Sequence, residues 1–387
     1  MWGVVVVVGL FGFLVVEFIY LAVVLRWEDE KTRGLGYYGL PAVERDQFKQ
    51  TLRRHAILLS PILRLLGRFS DGALAKATFR VKGIAGPKGT CSPESFEQGL
   101  AYQAQAEDVF VVTQMKCGTT WMQHLVYEIL KRGNGDLVAS GTALYAVSPW
   151  LEALKSVPVD DAPLIGAERP SRIIKTHLPA SLCPFDPAAK YVYVARHPVS
   201  CFASCVDFLH TNMGAFAPRL DEAERWYCSD ELMWWGTWPA HVDGWWQQSK
   251  QNANVLFVHF EAMKRDLPGI ARQVAGFLGL APLTDEELAR VVTKCSFEYM
   301  QRHGDTFEMG PPHILATEAR LFVKGTADRH KDVPQEVRRR ILRWCSEEMT
   351  RRDLPPEWLE PHGARKRESD YDTADRDLPQ PPGPGVS

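Results

Sequence analysis

The chain has 387 residues, a length that corresponds to two or three domains or to one large α/β domain with appendages. Apolar residues make up 45% and charged residues 24%, which excludes a wholly disordered, collagen-like or coiled-coil chain. Lys and Arg number 45 against 47 Asp and Glu, a net charge of -2, so general nucleic-acid binding is not expected. The eight cysteines form no CxxC pair, which argues against a structural zinc site and favours free thiols in a reducing compartment.

The amino terminus carries a long apolar run. Residues 4–25 contain one charge, Glu17, and about 20 apolar residues suffice to cross the hydrocarbon core of a bilayer. The run lacks the features of a cleaved signal peptide, so we predict a transmembrane anchor at residues 1–27. Arg26 and Lys31 follow closely, and the positive-inside rule then predicts a single-pass protein with its main domain in the cytosol. The alternative is a buried core helix.

The rest of the chain divides into three parts: a juxtamembrane helical region at 28–84, a main domain at 85–355 and a disordered tail at 356–387. Helical apolar spacing with interspersed basic residues runs through 48–69. This helix either lies along an anionic membrane surface or packs on the main domain with a solvated basic face. The tail is rich in charge, Pro and Gly and poor in apolar residues, which is typical of disorder.

Short apolar runs alternate with helical patterns in the main domain. Strands are predicted at 109–112, 172–175, 190–195 and 255–259, and helices at 119–132, 198–209, 268–279, 285–294 and 334–350. This alternation predicts an α/β fold of three layers, a parallel sheet flanked by helices. In such sheets, ligands bind beyond the carboxyl ends of the strands.

The first motif with chemical content is VFVVTQMKCGTTW at 109–121, a strand, a short loop and the start of a helix. A helix amino terminus favours an anion, Gly118 permits close approach of the backbone, and Lys116 adds a positive charge. The layout is P-loop-like but lacks the pattern GxxxxGK[ST], which argues against magnesium-dependent hydrolysis of nucleotides. The alternative is an ordinary strand-to-helix turn.

Two further strand ends carry polar residues. Lys175 and His177 follow the second strand, where an imidazole near neutrality can accept a proton, although a lone histidine is also common in a structural role. Arg196 follows the third strand and Ser204 lies eight residues further along a helix, a pair suited to a phosphate. A late Lys324-Gly325 pair is a weaker candidate for closing over an anion.

Tryptophans and a histidine recur at helical spacing near 234–249, at Trp238, His241, Trp245 and Trp246. We expect most of them to fill the core, and some could wall an apolar substrate pocket.

Taken in order, KxGTTW, KTHLP, RxPxxxxxS, GxWxxHVxxWW and the late KG loop resemble the cytosolic-type sulfotransferases over about residues 85–350. The resemblance implies a P-loop-like sulfotransferase fold. It also implies metal-free transfer of a sulfuryl group from 3′-phosphoadenosine 5′-phosphosulfate (PAPS) to a hydroxyl or amine. Carried over to this sequence, the catalytic residues are His177, the base, with Lys116 and Lys175. The implied donor-binding residues are Lys116, Cys117, Gly118, Thr119, Thr120, Trp121, Arg196, Ser204, Phe260, Cys295, Ser296, Phe297, Lys324 and Gly325.

Several positions depart from the family pattern. Cys117 replaces a serine, Phe260 replaces a tyrosine, and Val323 replaces an arginine that contacts phosphate. Asp328 and His330 replace a glycine and a tryptophan of the late loop, and a carboxylate near a phosphate is unfavourable. These departures predict weaker binding of the donor.

Two other functions remain open at this point. One is a catalytically weak or inactive membrane-anchored binding or scaffold protein with the same fold, which the departures motivate. The other is a nucleotide or small-molecule kinase, which the missing Walker lysine position opposes. The acceptor is a small molecule, and the anchor suggests a lipophilic one. The sequence leaves the oligomeric state open.

Overall fold

The computed structural model describes residues 2–33, 35–69, 71–316 and 328–360. Its strands are β1 (Thr78–Val81), β2 (Ile84–Pro87), β3 (Asp108–Val112), β4 (Arg172–Thr176), β5 (Lys190–Ala195) and β6 (Val255–His259). Strands β3 to β6 form a parallel sheet in the order β4-β3-β5-β6, while β1 and β2 form an antiparallel hairpin. The four predicted strands are therefore confirmed, and the sequence pattern missed the hairpin.

Helices surround this sheet. They are α1 (Trp2–Thr32), α2 (Leu35–Tyr38), α3 (Ala42–Gly67), α4 (Ala73–Lys76), α5 (Pro93–Ala101), α6 (Thr119–Leu130), α7 (Leu137–Ser140), α8 (Leu144–Val147), α9 (Pro198–Met213), α10 (Leu220–Tyr227), α11 (Trp238–Gln251), α12 (Phe260–Arg265), α13 (Leu267–Phe277), α14 (Asp285–Lys294), α15 (Phe297–Arg302) and α16 (Gln335–Arg351). The predicted helices of the main domain are present: the one at 285–294 has the predicted ends, and the other four differ from the prediction by one to four residues at their ends.

The alternation of side chains along the strands builds two cores. All five residues of β3 are buried, as expected for a strand covered on both faces. Phe110 and Val112 belong to the core that contains residues of α9, α11 and α16. Val109 and Val111 belong to the core on the opposite face, with residues of α6, α13 and α14. The predicted three-layer α/β architecture is confirmed.

The amino-terminal helices lie against this domain. Within the described residues, one helix is long and apolar enough to cross a membrane, Val7–Thr32, with 26 residues and a mean hydropathy of 2.5. The transmembrane anchor stays a prediction. Helix α3 buries Leu52 and Leu59 in the domain core while Arg53, Arg54 and Arg64 remain exposed, as the packed alternative expected.

The carboxyl-terminal boundary of the folded domain differs from the predicted one. Residues Pro356–Leu359 form a 3-10 turn, and the Trp358 ring stacks on Phe257 at 5.5 Å and 19°. Trp358 also meets Trp246 edge-on at 5.3 Å. These aromatic contacts pack the first residues of the predicted tail against the domain. Residues 361–387 lie outside the described residues. All eight cysteines are free thiols.

Candidate active site

The carboxyl ends of the four parallel strands converge on one cavity of about 1260 Å³. Because parallel strands in register end at the same edge, the residues after β3, β4, β5 and β6 become neighbours. The predicted site residues that line the cavity are Lys116, Gly118, Thr119, Thr120, Trp121, His177, Arg196, Ser204, Phe260 and Phe297. Residues up to 181 positions apart in sequence, Lys116 and Phe297, thus meet in one place.

The loop between β3 and α6 has a geometry that requires glycine. Gly118 has φ +104, and a Cβ there would lie 2.7 Å from Cδ2 of Phe260. Lys116 also has a left-handed backbone, with φ 65. The loop therefore delivers Lys116 and the amino terminus of α6 to the cavity, where backbone dipoles favour an anion.

Two cations are fixed beside this loop. The Arg196 guanidinium donates to the Lys116 carbonyl at 3.0 Å and lies 4.4 Å from the centre of the Phe260 ring. The Lys116 ammonium lies 4.8 Å from the centre of the Phe208 ring. Burial lowers the pKa of Lys116 to about 8, with the charge of Arg196 adding to the effect. An anion placed here would meet two positive groups that need little rearrangement.

Aromatic rings flank the cations. The Trp121 indole donates to the Cys295 carbonyl at 2.8 Å, and its ring meets Phe260 edge-on at 5.4 Å. The Lys264 ammonium, which also lines the cavity, lies 5.8 Å from the Trp121 ring and 5.9 Å from Phe297. Such a wall suits a planar heterocycle that carries a negative charge nearby. The sequence motifs did not point to Lys264.

His177 is held in a defined tautomer. Its Nδ1 lies 2.8 Å from the Thr113 carbonyl, which can only accept, so Nδ1 carries the proton. Nε2 is left as the nitrogen with the lone pair. The ring is buried, packs against Trp150 and Trp235 at 5.2 Å and 4.8 Å, and has its pKa lowered well below the usual range, first by burial and then by Lys175. The imidazole is therefore neutral and able to take a proton.

A buried carboxylate, Glu152, anchors the His177 backbone. One oxygen accepts from the His177 amide at 2.8 Å and the other from the Thr176 hydroxyl at 2.8 Å. On the other side, His241 lies 2.8 Å from the His177 carbonyl and 2.9 Å from the Tyr193 hydroxyl. Sequence reasoning missed Glu152, although a charge inside the apolar segment SPWLEA was a usable signal.

Lys175 lies behind the loop and is not among the residues that line the cavity. It is fully buried, with its ammonium 3.3 Å from the centre of the Trp150 ring and 3.4 Å from the Tyr145 hydroxyl. Tyr145 lies 3.0 Å from the Thr120 hydroxyl. Lys175 therefore meets the cavity through its neighbours: directly against the Trp150 ring, which lines the cavity, and through Tyr145 to Thr120.

Three other predicted residues support the cavity from outside its lining. The Cys117 thiol is buried against the Cys201 thiol at 3.6 Å. Cys295 offers its carbonyl to Trp121, and the Ser296 hydroxyl caps α15 by accepting from the Tyr299 amide. Lys324 and Gly325 lie outside the described residues, as does Val323.

The effect of Asp328 on donor binding stays a prediction, although the structure places this side chain away from the residues that line the cavity. The Asp328 carboxylate pairs with Lys331 at 2.8 Å on the surface and does not line the cavity. Its neighbour Arg329 does, and donates to Asp207 at 2.5 Å and to Asp332 at 3.1 Å. Sequence reasoning missed this guanidinium because no strand or glycine motif marks it.

An apolar wall faces His177 from the remaining side. Met115, Trp150, Trp234 and Trp235 line the cavity there. The Gln114 amide donates to the carbonyls of Trp234 and Gly236, both at 3.2 Å. These hydrogen bonds link the apolar wall to the loop between β3 and α6. The tryptophans and histidine singled out by helical spacing on α11 do not line the cavity: Trp238, His241 and Trp245 fill the core, and Trp246 packs against it.

Comparison with known proteins explains this arrangement. The family model described as the sulfotransferase domain matches residues 106–353. The chain belongs to the sulfotransferase family. Sulfotransferase 2B1 of Homo sapiens is 29% identical over 255 residues, which cover 64% of this chain and 67% of that protein. The Mus musculus Sulfotransferase 2B1 is 32% identical over 229 residues, covering 58% of this chain and 65% of that protein.

The same fold occurs in a solved structure of retinol dehydratase in complex with androsterone and inactive cofactor PAP. That chain superposes with a TM-score of 0.55 at 23% identity, covering 74% of this chain and 95% of that one. The predicted sulfotransferase-type α/β fold and the assignment as a sulfotransferase are confirmed.

Proposed function

We propose that this sulfotransferase moves the sulfuryl group of PAPS to a hydroxyl or amine of a small lipophilic acceptor at the described cavity. The observation that carries the proposal is that one cavity joins two unlike surfaces on either side of His177. The donor half contains Lys116, Gly118, Trp121, Arg196 and Phe260. The acceptor half contains Met115, Trp150, Trp234 and Trp235.

In the donor half, each group suits one part of PAPS. The α6 amino terminus and Lys116 match the 5′-phosphosulfate, where charge develops on the leaving oxygen. Trp121, Phe260 and Phe297 match the adenine, which stacks on aromatic rings. Arg196 and Ser204 match the 3′-phosphate. Arg329 lines the same cavity, where its guanidinium is paired with Asp207 and Asp332.

His177 is the proposed base. The acceptor oxygen or nitrogen attacks sulfur and its proton passes to Nε2 of His177. The bond between sulfur and the bridging oxygen breaks, and the leaving group is 3′-phosphoadenosine 5′-phosphate. The hydrogen bond from Nδ1 to the Thr113 carbonyl keeps Nε2 free for this proton, and Glu152 holds the backbone that carries the ring. The protein otherwise positions the reactants and stabilises charge.

The acceptor half supports a lipophilic substrate, because three indole rings and a thioether surround the space next to His177. The apolar helix α1 supports a membrane location for the same reason, since such acceptors partition into bilayers. The basic residues that follow the apolar run, Arg26 and Lys31, favour a cytosolic catalytic domain. We infer an acceptor that reaches the cavity from the membrane.

The test is calorimetric binding of 3′,5′-adenosine diphosphate to the full chain in detergent micelles. We expect binding that is lost with 5′-AMP and strongly weakened by Arg196→Ala, because only the 3′-phosphate meets Arg196. The matched control is Arg343→Ala, an exposed arginine of α16 that does not line the cavity. An acceptor screen with His177→Ala as the blank then follows.

Absence of binding at millimolar ligand would overturn the donor site and favour a non-catalytic binding or scaffold protein. Equal binding of 5′-AMP and the 3′,5′-diphosphate would remove the role given to Arg196. Magnesium-dependent release of phosphate from ATP would favour a kinase or ATPase instead.

A further inference from the structure

Part of the apolar run of α1 packs against the folded domain. The Tyr20 hydroxyl lies 2.6 Å from Nδ1 of His55 on α3, and the Trp27 ring lies 5.0 Å from Phe48. Val24 is buried, and Leu14 is the residue nearest the amino terminus that the structure describes as packed on the core. The two helices therefore run antiparallel, side by side, from about residue 14 onwards.

This packing conflicts with a span that holds the domain outside the bilayer. Ten residues, 4–13, precede Leu14 in the apolar run, and at about 1.5 Å per residue they rise about 15 Å. The hydrocarbon core is about 30 Å thick. If residues 14–25 are also in the membrane, then the part of α3 beside them is at the membrane as well.

The outward side of α3 has the composition of a helix at a lipid interface. Ile57 and Leu58 are 72% and 59% exposed, and Phe69, just after the helix, is 75% exposed. The exposed acids of α3, Glu44 and Asp46, lie in its first turns, whereas residues 47–70 contain five basic residues and no acidic ones. Four of these basic residues are exposed: Arg53, Arg54, Arg64 and, just after the helix, Arg68. Arginine next to exposed apolar side chains suits the boundary between anionic headgroups and acyl chains, where the stem is buried and the charge is solvated.

The outward side of α1 continues this surface. Its most exposed large side chains are Val7, Val8, Phe11, Val16, Ile19 and Val23, each at 60% exposure or more. Single exposed apolar residues are ordinary, whereas a contiguous set across two packed helices marks an interaction surface. Glu28 and Asp29 of α1 and Lys49 and Arg53 of α3 also line the active-site cavity, so this surface borders its opening.

We propose that α1 and the outward side of α3 form one membrane platform seated in a single leaflet that contains anionic lipids, with the cavity opening at the headgroup level. The inference rests on the proposed membrane location of the enzyme and differs from the single-pass topology that the sequence predicts. A lipophilic acceptor would then pass from the leaflet to the cavity along α3, without crossing water.

The experiment places one fluorophore at a time on the full chain through an engineered cysteine: Val16→Cys, Leu58→Cys or Leu164→Cys. Leu164 is a matched control, because it is an exposed apolar residue of the catalytic domain at 51% exposure. Unmodified chain reports background from the native thiols. In phosphatidylserine-containing vesicles with nitroxide lipids, we expect quenching at positions 16 and 58 and none at 164. Arg64→Gln/Arg68→Gln should reduce quenching at 58, while Arg343→Gln should not.

A second measurement reads topology. The full chain is translated with sealed microsomes after a flexible hydrophilic extension that carries an Asn-Gly-Thr glycosylation acceptor is added before Met1. A one-leaflet platform predicts no glycan on this acceptor, because the amino terminus stays on the cytosolic side. Glycosylation of the extension, or quenching at 16 without quenching at 58, would overturn the platform and leave the anchor in place. Failure of the chain to float with vesicles would overturn the membrane location itself.

Discussion

The donor half and the acceptor half of the cavity are built in different ways. Lys116, Gly118 and Trp121 come from one strand, loop and helix, and Arg196 and Phe260 each follow the end of a neighbouring strand. Trp150, Trp234 and Trp235 come from loops that no regular element defines. A ligand of fixed chemistry can be met by backbone geometry at strand ends, whereas a variable acceptor is met by loop side chains.

The largest effect on turnover is expected at His177, which lies between the donor half and the acceptor half. His177→Ala should lower kcat by about two to four orders of magnitude, because the base is lost. Binding of 3′,5′-adenosine diphosphate should be unchanged, since His177 belongs to neither half. Calorimetry and turnover on one preparation measure both, and His210→Ala, an exposed histidine of α9, is the control. Normal turnover in His177→Ala would remove it as the base.

A change confined to the donor half is Gly118→Ala. The left-handed backbone and the 2.7 Å approach to Phe260 should weaken donor binding about ten- to hundredfold. Gly276→Ala on α13 is the matched control, because a Cβ there meets nothing within 4 Å. Unchanged donor affinity with raised acceptor KM would place the phosphosulfate elsewhere.

The acceptor half is tested by Trp235→Ala. Removing this ring should raise the acceptor KM about tenfold, because a large apolar contact is lost, while donor affinity is retained. Trp235→Phe should recover most of the effect. Steady-state kinetics with both substrates varied make the measurement. Equal loss of donor affinity would show that the halves are not separable.

The pH dependence of donor binding should depend on Lys116. Its pKa of about 8 in the empty site means that the ammonium loses its proton above that pH, whereas a bound anion favours the charged form. The Kd for 3′,5′-adenosine diphosphate should therefore rise above pH 8, by at most about tenfold per pH unit. Lys116→Arg should abolish the rise because arginine stays charged. A rise that persists in Lys116→Arg belongs to another group.

The smallest effect is expected for Cys117→Ser, which restores the residue typical of the family. The thiol faces Cys201 and not the cavity, so donor affinity should change by less than about twofold. Calorimetry of the two proteins side by side measures this. A large gain in affinity would mean that the side chain turns toward the donor when it binds.

Much of this site could be predicted from residue types and order. Strand ends followed by Lys116, His177 and Arg196 were visible as apolar runs that stop at charged residues, and Gly118 was expected to let the backbone approach an anion. The left-handed backbone of Gly118 came from the structure. Lys264 and Arg329 were not visible, and Glu152 was marked only by its charge inside an apolar segment. Each lies in a segment whose local pattern is helical or irregular. The role of each side chain depends on a contact with a residue far away in the chain.

The sequence by itself determined the alternation of buried strands and helices, the anion loop and the apolar amino terminus, because these depend on local periodicity and on backbone rules. The tertiary structure decided three further matters. It set Lys175 behind Tyr145, turned Asp328 to the surface while Arg329 lines the cavity, and packed α1 along α3. The reason is that side-chain direction, ion pairing and helix packing depend on contacts with residues distant in the chain. The local sequence pattern does not predict these contacts.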